Sequence, residues 1–491
     1  MVDAMGVLRY TGVGVVRPDK EAEMKRLFEA FDRAGKELFL VGGAVRDIAL
    51  GIAKEEIDDL DFCTNARPEE SLQIIKDAGL AHYDMGIEFG TVGAVLHGPK
   101  EKGFPKDCQI TTYRSEEYYR RGSRHPQVKF GDTIEQDLGR RDFSINSMAI
   151  DGEENFVDPY GGLDDLKKGL LRVVGDPWET LAEDPLRILR VARFQSRLGF
   201  DVDEDLYRAS YDRAEYILDI SRERWLQEMT KVLRGAYLHR AMQFLHDVRI
   251  LGIILPEVAV LVGFHETSPV HHKDLWEHTL QVVLQAPDDD GLKWAGLLHD
   301  VGKVWTRRVD EEEEKVTFYR HEEQGALLFE GVSKRFKFDN ATRDRVDFII
   351  RNHSRPHQYD SDWSDAAVRR FVRDMDPYLD SILDFARADL TTRVDWRRKE
   401  ALDRLEELTE RIEELEAEEA LRAELPAGLG NAIMDHFDLD PSPVIGELKQ
   451  ALEERIMDGT LQSGREPQYY VESLRNSPPP ALCDEDERGD E

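Results

Sequence analysis

A chain of 491 residues is too long for a single hydrophobic core, so two to four domains are expected. The 41% of apolar residues include no run long enough to span a membrane, and the N-terminus MVDAMGVLRYTGVGVV lacks the basic-then-apolar pattern of a secretory signal. Cys63, Cys108 and Cys483 lie too far apart for a disulfide or thiolate-metal pattern, so a soluble cytoplasmic protein is expected. The net charge of −34 argues against a nucleic-acid partner, because phosphate neutralisation supplies much of such affinity. Its distribution softens the objection. Acid concentrates in 310–314, 406–424 and 484–491, whereas arginine clusters at 120–124, 140–141, 187–197 and 222–224.

In chain order, residues 21–35 place Met24, Leu27, Phe28 and Phe31 at helical spacing. The apolar run Leu38–Val41 predicts a strand that enters Gly42-Gly43 and a second helix, and strands fit Leu60–Cys63, Thr91–Leu96 and Cys108–Tyr113. After Asp158-Pro159 the pattern turns almost wholly helical, broken at Gly175-Asp176-Pro177, Pro256, Pro287 and Pro356. Residues 399–424 predict a long, charge-rich helix packed along one seam, and the end after Asn476 reads as a disordered acidic tail. Five segments follow: 1–158, 159–235, 236–398, 399–475 and 476–491.

The segment LVGGAVRD (Leu40–Asp47) sets two glycines between a strand and a helix. Glycine permits close approach of a phosphate to backbone N–H groups, and Arg46 could add a charged fork. A tight turn would read the same way. What lifts it is Asp59-Leu60-Asp61, since alternate residues of a strand share a face and these two would present paired carboxylates. Such hard oxygen ligands suit Mg²⁺, which can activate an attacking hydroxyl and stabilise departing pyrophosphate. Asp58 falls on the opposite face and is left out.

Three further segments follow. DLGRRDFSINSMAID (Asp137–Asp151) clusters Arg140, Arg141, Asp142 and Asn146, and VDPYGGLDDL (Val157–Leu166) is a glycine-rich turn. EDPLRILRVARF (Glu183–Phe194) opens a helix with Asp184 and Arg187 three apart, hence neighbours. A carboxylate beside a guanidinium matches the base edge of cytosine or adenine, each with an amino donor next to a ring-nitrogen acceptor. An ordinary surface salt bridge would share that spacing.

Together these motifs resemble the class II tRNA nucleotidyltransferase and bacterial poly(A) polymerase family over about the first 235 residues. The resemblance implies an α+β nucleotidyltransferase head, with a small mixed sheet and helices, followed by an all-α neck, a helical body and a helical tail. It implies that Gly42, Gly43 and Arg46 face the triphosphate and that Asp59 and Asp61 are catalytic and hold Mg²⁺. Arg141, Asp142 and Asn146 would contact ribose and phosphates, and Asp184, Arg187 and Arg190 the nucleotide, with Asp184 and Arg187 selecting CTP and then ATP. Ser221-Arg222-Glu223-Arg224 with Glu228 resembles the neck motif that steadies this protein template, and tRNA is the implied partner. In the flexible loop after Thr112-Tyr113-Arg114, Glu116, Glu117 and Arg124 are present, but no aspartate precedes Arg124. C-only or A-only addition and poly(A) synthesis therefore stay open beside full CCA synthesis.

Further along, His278, His299, Asp300, His321, His353 and Asp389 are spaced through helical sequence. An adjacent His-Asp pair can bind a divalent ion such as Mn, Ni, Fe or Mg. The set resembles the HD metal-dependent phosphohydrolase superfamily over about 265–395 and implies hydrolysis of a phosphate ester. An HD hydrolase with a nucleotide-sensing head is the alternative from another class.

Overall fold

The computed structural model describes residues 18–52, 57, 59–83, 87, 90–96, 106–119, 126–268, 271–310, 315–392, 394–423, 425–457, 460–462 and 464–479. Packing of the backbone divides the chain into two units, Met1–Arg351 and Asn352–Glu491, a boundary that falls inside the 236–398 segment.

The first unit begins with α1 (Pro18–Arg33), whose Leu27 and Phe31 are fully buried. Then come β1 (Leu38–Val41), α2 (Gly43–Ala49), β2 (Leu60–Thr64), α3 (Pro68–Asp77), β3 (Ala81–Tyr83), β4 (Thr91–Leu96) and β5 (Lys106–Thr112). β6 (Arg114–Tyr119) and β7 (Pro126–Phe130) follow, then α4 (Ile134–Gly139), β8 (Ala149–Ile150) and β9 (Phe156–Val157). Seven strands make one mixed sheet in the order β3-β4-β5-β2-β1-β8-β9. Its one parallel pair, β2 with β5, needs the long α3–β3–β4 crossover between them. β1 runs antiparallel to β2 with Val41 opposite Asp61, which brings the end of β1 beside the start of β2. That register sets the glycine turn next to the paired carboxylates.

The segment after Thr112-Tyr113-Arg114 differs from the expected flexible loop. β6 and β7 pair antiparallel, with a register irregularity between Arg114 and Glu116. Tyrosines, Val128 and Phe130 give these charged strands enough β character to pair. Arg124 lies outside the described residues, and so does the acidic tail beyond 479.

Helices then take over: α5 (Gly162–Lys168), α6 (Pro177–Glu183), α7 (Leu186–Leu198), α8 (Glu204–Asp212) and α9 (Arg222–Leu233). The neck is not purely helical, because β10 (Leu170–Leu171) and β11 (Asp201–Val202) form a short parallel ladder. α7 buries Ile188, Leu189, Val191 and Ala192 on one side, which leaves its arginines on the other. Beyond it lie α10 (Leu238–Asp247), α11 (Ile250–Ile254), α12 (Pro256–Ala259), α13 (Leu275–Gln285), α14 (Asp290–Leu298), α15 (Lys303–Thr306), α16 (His321–Phe336) and α17 (Asn340–Asn352), with two small antiparallel ribbons among them.

In the second unit α18 (Asp365–Met375) and α19 (Leu379–Asp389) pack on α20 (Asp395–Ala423). α20 buries Leu405, Leu408, Ile412 and Leu415 at helical spacing and leaves its acids up to Glu416 exposed, which is the expected single seam. α21 (Leu429–Phe437), α22 (Pro443–Met457) and α23 (Pro467–Asn476) enclose a small core around Leu448, Leu452 and Tyr470. Among the described residues no helix is long and apolar enough to cross a membrane.

Candidate active site

A cleft of about 1180 Å³ opens in the first unit, walled by the glycine turn, the start of β2, the 140–146 segment, α7 and α9. Eight arginines and six acids line it, so its wall is net basic in a chain of charge −34. Within the cleft itself arginine outnumbers acid, which meets locally the objection that the chain's acidity raised against nucleic acid.

Gly42 stands between β1 and α2 with φ 71, a left-handed value that favours glycine. A Cβ there would come within 3.1 Å of the Arg141 guanidinium, so glycine also keeps that arginine in place. Gly43, Asp59 and Asp61 line the same cleft, and both aspartates expose their side chains into it. Neither makes a hydrogen bond or ion pair among the described residues, so their oxygens are open to a cation. The cleft walls desolvate Asp61 and push its carboxyl above the usual carboxylate range; Arg141 pulls it back and Asp59 adds to the rise. This donor set fits the hard, oxygen-seeking ion expected from the sequence.

The arginines are held by acids that sequence reasoning passed over. Asp137 is fully buried and accepts bidentate pairs from two side chains: Arg140 on Oδ1 (3.2 and 2.9 Å) and Arg141 on Oδ2 (3.2 and 2.9 Å). Burial would raise its carboxyl, but Arg141 and Arg140 outweigh burial and hold it below the ordinary value. Its spacing of three and four before the arginines on α4 was the available signal.

Arg46 is 3% exposed and lines the cleft with its guanidinium already engaged. It donates from Nε to Asp47 Oδ1 at 2.9 Å and from Nη1 to Asn146 Oδ1 at 2.8 Å, and stacks 5.3 Å from the Phe194 ring centre. Asp142 accepts from Asn146 Nδ2 at 3.2 Å and pairs with Arg190 at 2.5 Å. Arg46, Asp142 and Asn146 thus form one network behind the cleft surface.

Asp184 and Arg187 do not make the simple surface bridge that their spacing permits. Asp184 Oδ2 accepts from Arg224 of α9 at 3.2 Å, while its Oδ1 accepts from the Leu186 amide at 3.2 Å. Arg187 donates to the Thr180 and Arg140 carbonyl oxygens at 3.5 and 3.2 Å. Glu228, one α9 turn beyond Arg224, is 6% exposed and lies 3.4 Å from Arg193 of α7. The expected neck motif therefore meets the entry to α7 at Asp184 and α7 itself at Arg193.

Elsewhere in the first unit His278, His299, Asp300 and His321 come together. His278 Nε2 and His299 Nε2 lie 3.3 and 3.2 Å from Asp300 Oδ2, and His321 Nε2 lies 3.5 Å from Oδ1. The two other ring nitrogens of His299 and His321 face the Gly296 and Phe318 carbonyl oxygens at 2.9 and 3.0 Å. Those contacts fix each ring with Nε2 turned towards Asp300, the orientation in which an imidazole would bind a metal. Burial would raise the Asp300 carboxyl, but His299 and Lys303 outweigh burial and hold it well below the usual range. In the second unit, buried His353 packs its ring 6.2 Å from Phe385, and Asp389 ends α19 with His357 Nε2 3.7 Å away. His357 was not among the expected ligands.

Comparison with known proteins agrees with this layout. The profile described as the poly A polymerase head domain matches residues 38–172, that of a probable RNA- and SrmB-binding site of polymerase A matches 199–261, and the HD domain matches 275–394. A CCA-adding enzyme of Streptococcus mutans is 28% identical over 91% of this chain and 96% of its own length. Those of Lactobacillus helveticus and Streptococcus suis are 34% and 37% identical over 56% and 49% of this chain, and these alignments span 66% and 56% of the relatives' length. The fold is that of the Bacillus stearothermophilus CCA-adding enzyme solved in complex with CTP (TM-score 0.56, 23% identity, 94% of this chain and 99% of that one). It is also that of the Thermotoga maritima CCA-adding enzyme complexed with tRNA (TM-score 0.52, 19% identity, 94% and 96%). With head, RNA-binding and HD profiles in that order and relatives aligned along nearly the whole sequence, the chain belongs to the tRNA nucleotidyltransferase and poly(A) polymerase family.

Proposed function

We propose that the chain adds C, C and A to the 3′ end of tRNA, using CTP and ATP and releasing pyrophosphate. The observation that carries this reading is the single basic cleft that joins two open carboxylates, Asp59 and Asp61, to the Asp184 and Arg187 pair. Relatives aligned over most of the chain are CCA-adding enzymes, which favours CCA addition over poly(A) synthesis.

Asp59 and Asp61 would hold Mg²⁺, whose chemistry at such a pair is activation of the attacking 3′-hydroxyl and neutralisation of the departing pyrophosphate. The glycine turn lets the triphosphate approach the backbone, and Arg141 supplies charge beside it. Asp184 accepts the amino group of the incoming base and Arg187 donates to its ring nitrogen, so cytosine and adenine fit and guanine and uracil do not. Arg224 and the Thr180 and Arg140 carbonyl oxygens fix those two side chains before the nucleotide arrives. Catalysis of this kind is mainly positioning and charge stabilisation.

The test uses tRNA ending at the discriminator base with CTP, ATP or both, followed by product sequencing. C-C-A ends are expected. Long A tracts without C would overturn the reading. Asp59→Asn is expected to cut transfer by roughly 10²–10³-fold with the melting temperature kept.

A second reading applies to the HD domain, favoured by the convergence of three imidazole Nε2 atoms on Asp300. There a divalent ion such as Mn, Ni, Fe or Mg would support hydrolysis of a phosphate ester. Opening of a 2′,3′-cyclic nucleotide by one water to the nucleoside monophosphate, lost in Asp300→Ala while CCA addition persists, is the expected result. Silence with all four metals would make this domain structural.

A further inference from the structure

The proposed reaction requires two things of one nucleotide: its triphosphate must sit on the glycine turn while its base edge reaches Asp184 and Arg187. These two contact points lie on separate elements, α2 with its turn and α7 with its entry, so their spacing depends on whatever ties α2 to α7. Side chains make that tie, and they close a ring. Asp47 of α2 bonds Arg46 through Oδ1 (2.9 and 2.8 Å), and Arg46 donates to Asn146 at 2.8 Å. Asn146 donates to Asp142 at 3.2 Å, and Asp142 pairs with Arg190 of α7 at 2.5 Å. α7 then returns to the start, because Arg197 in its last turn donates from Nη2 to Asp47 Oδ2 at 3.0 Å. Phe194, between Arg190 and Arg197, gives Arg46 an aromatic face at 5.3 Å.

We infer that Asp47 and Arg197 are positioning residues for base selection: their pair tethers the C-terminal end of α7 to the helix behind the glycine turn, and so sets the distance between triphosphate and base edge. This inference rests on the transferase reading above. Neither residue is asked to touch a base. Arg197 is ten residues beyond Arg187 on α7, or roughly 15 Å along the axis, so a small change of tilt at its end is felt at the base edge. Rigid side-chain shells are what keep such geometry within about 0.5 Å, and a misplacement of about 1 Å can cost on the order of 10²-fold.

Arg197 is also the link that can be removed cleanly. Its side chain is 48% exposed, and Asp47 keeps Arg46 as a partner without it, so no isolated buried charge results. The experiment compares wild type, Arg197→Ala, Arg197→Lys and Asp47→Asn with Arg343→Ala. Arg343→Ala removes a comparably exposed arginine that pairs with Asp344 within α17. Dissociation constants for CTP and UTP are measured with Mg²⁺ by calorimetry on the protein alone, kcat and KM for C and A addition on tRNA, and melting temperatures throughout.

Arg197→Ala is expected to shrink the preference for CTP over UTP roughly tenfold and to lower kcat more than it raises KM, at an unchanged melting temperature. Lysine is expected to restore part of it, since it supplies one donor in place of a fork. Asp47→Asn with Arg197→Ala should be less than additive. An undiminished CTP preference in Arg197→Ala would overturn the inference. So would an effect matched by Arg343→Ala, or a loss of activity explained by a lower melting temperature. If wild type extends no tRNA while the CTP preference still falls in Arg197→Ala, the transferase reading fails and the tether stands.

Discussion

Two arginines that crowd one another at the wall of the cleft would repel unless an acid shared them, and Asp137 is that acid. Its carboxylate, fully buried, takes four guanidinium donors from Arg140 and Arg141 and the Arg114 amide at 3.1 Å. Removing the charge leaves both guanidinium groups half-buried and mutually repelling, so Asp137→Asn is expected to destabilise by about 3 kcal/mol near neutral pH. Because the folded carboxyl is held below its ordinary value, its contribution is complete above the unfolded pKa of about 3.9 and fades as pH falls through the folded one. Urea midpoints of wild type and variant should therefore converge as pH drops below about 4, and a gap that stays constant into acid would refute this account. The site residues read from sequence were local: Asp59 and Asp61 on one strand face, Gly42-Gly43 at a turn, arginines one helical turn apart. Asp47 and Asp137 were in view inside the same motifs, but the work each carboxylate does depends on partners that only folding supplies.

At the scale of elements, legibility followed apolar continuity. Leu38–Val41 and Thr91–Leu96 stand out because both are interior strands with most residues buried on either face, and both fall where expected. β6 and β7 carry charges and tyrosines with no such run, and β8 and β9 are two residues long, too short for any periodicity. The meeting of the entry to α7 with α9 was legible only through the family resemblance: Asp184 and Arg224 are forty residues apart, and no local spacing pairs them. Glu228 shows what that meeting contributes. It sits 3.4 Å from Arg193 and 3.8 Å from Lys231, nearly out of solvent. Glu228→Ala would leave two neighbouring cations without their acid, an expected cost of about 1–2 kcal/mol after allowing for partial exposure of both. A urea midpoint equal to that of wild type would show that α7 does not depend on this contact.

Across the whole molecule, charge is segregated: the tail helix α20 exposes its acids, while arginine converges on one cleft. An acidic exterior of this kind keeps a protein soluble when salt is high. Solubility and transfer activity are expected to persist into molar KCl, and full activity confined to low salt would sink that interpretation. The short parallel ladder of β10 and β11 has a different consequence. Leu170 lies opposite Asp201 and Leu171 opposite Val202, so the chain leaves and re-enters the neck at adjacent points. Everything between, α6 and α7 with Asp184 and Arg187, is a cartridge whose two ends are clipped together. Exchange of that one stretch between relatives would move it as a unit, and its partners outside, Asp47, Asp142 and Arg224, would have to match for it to seat.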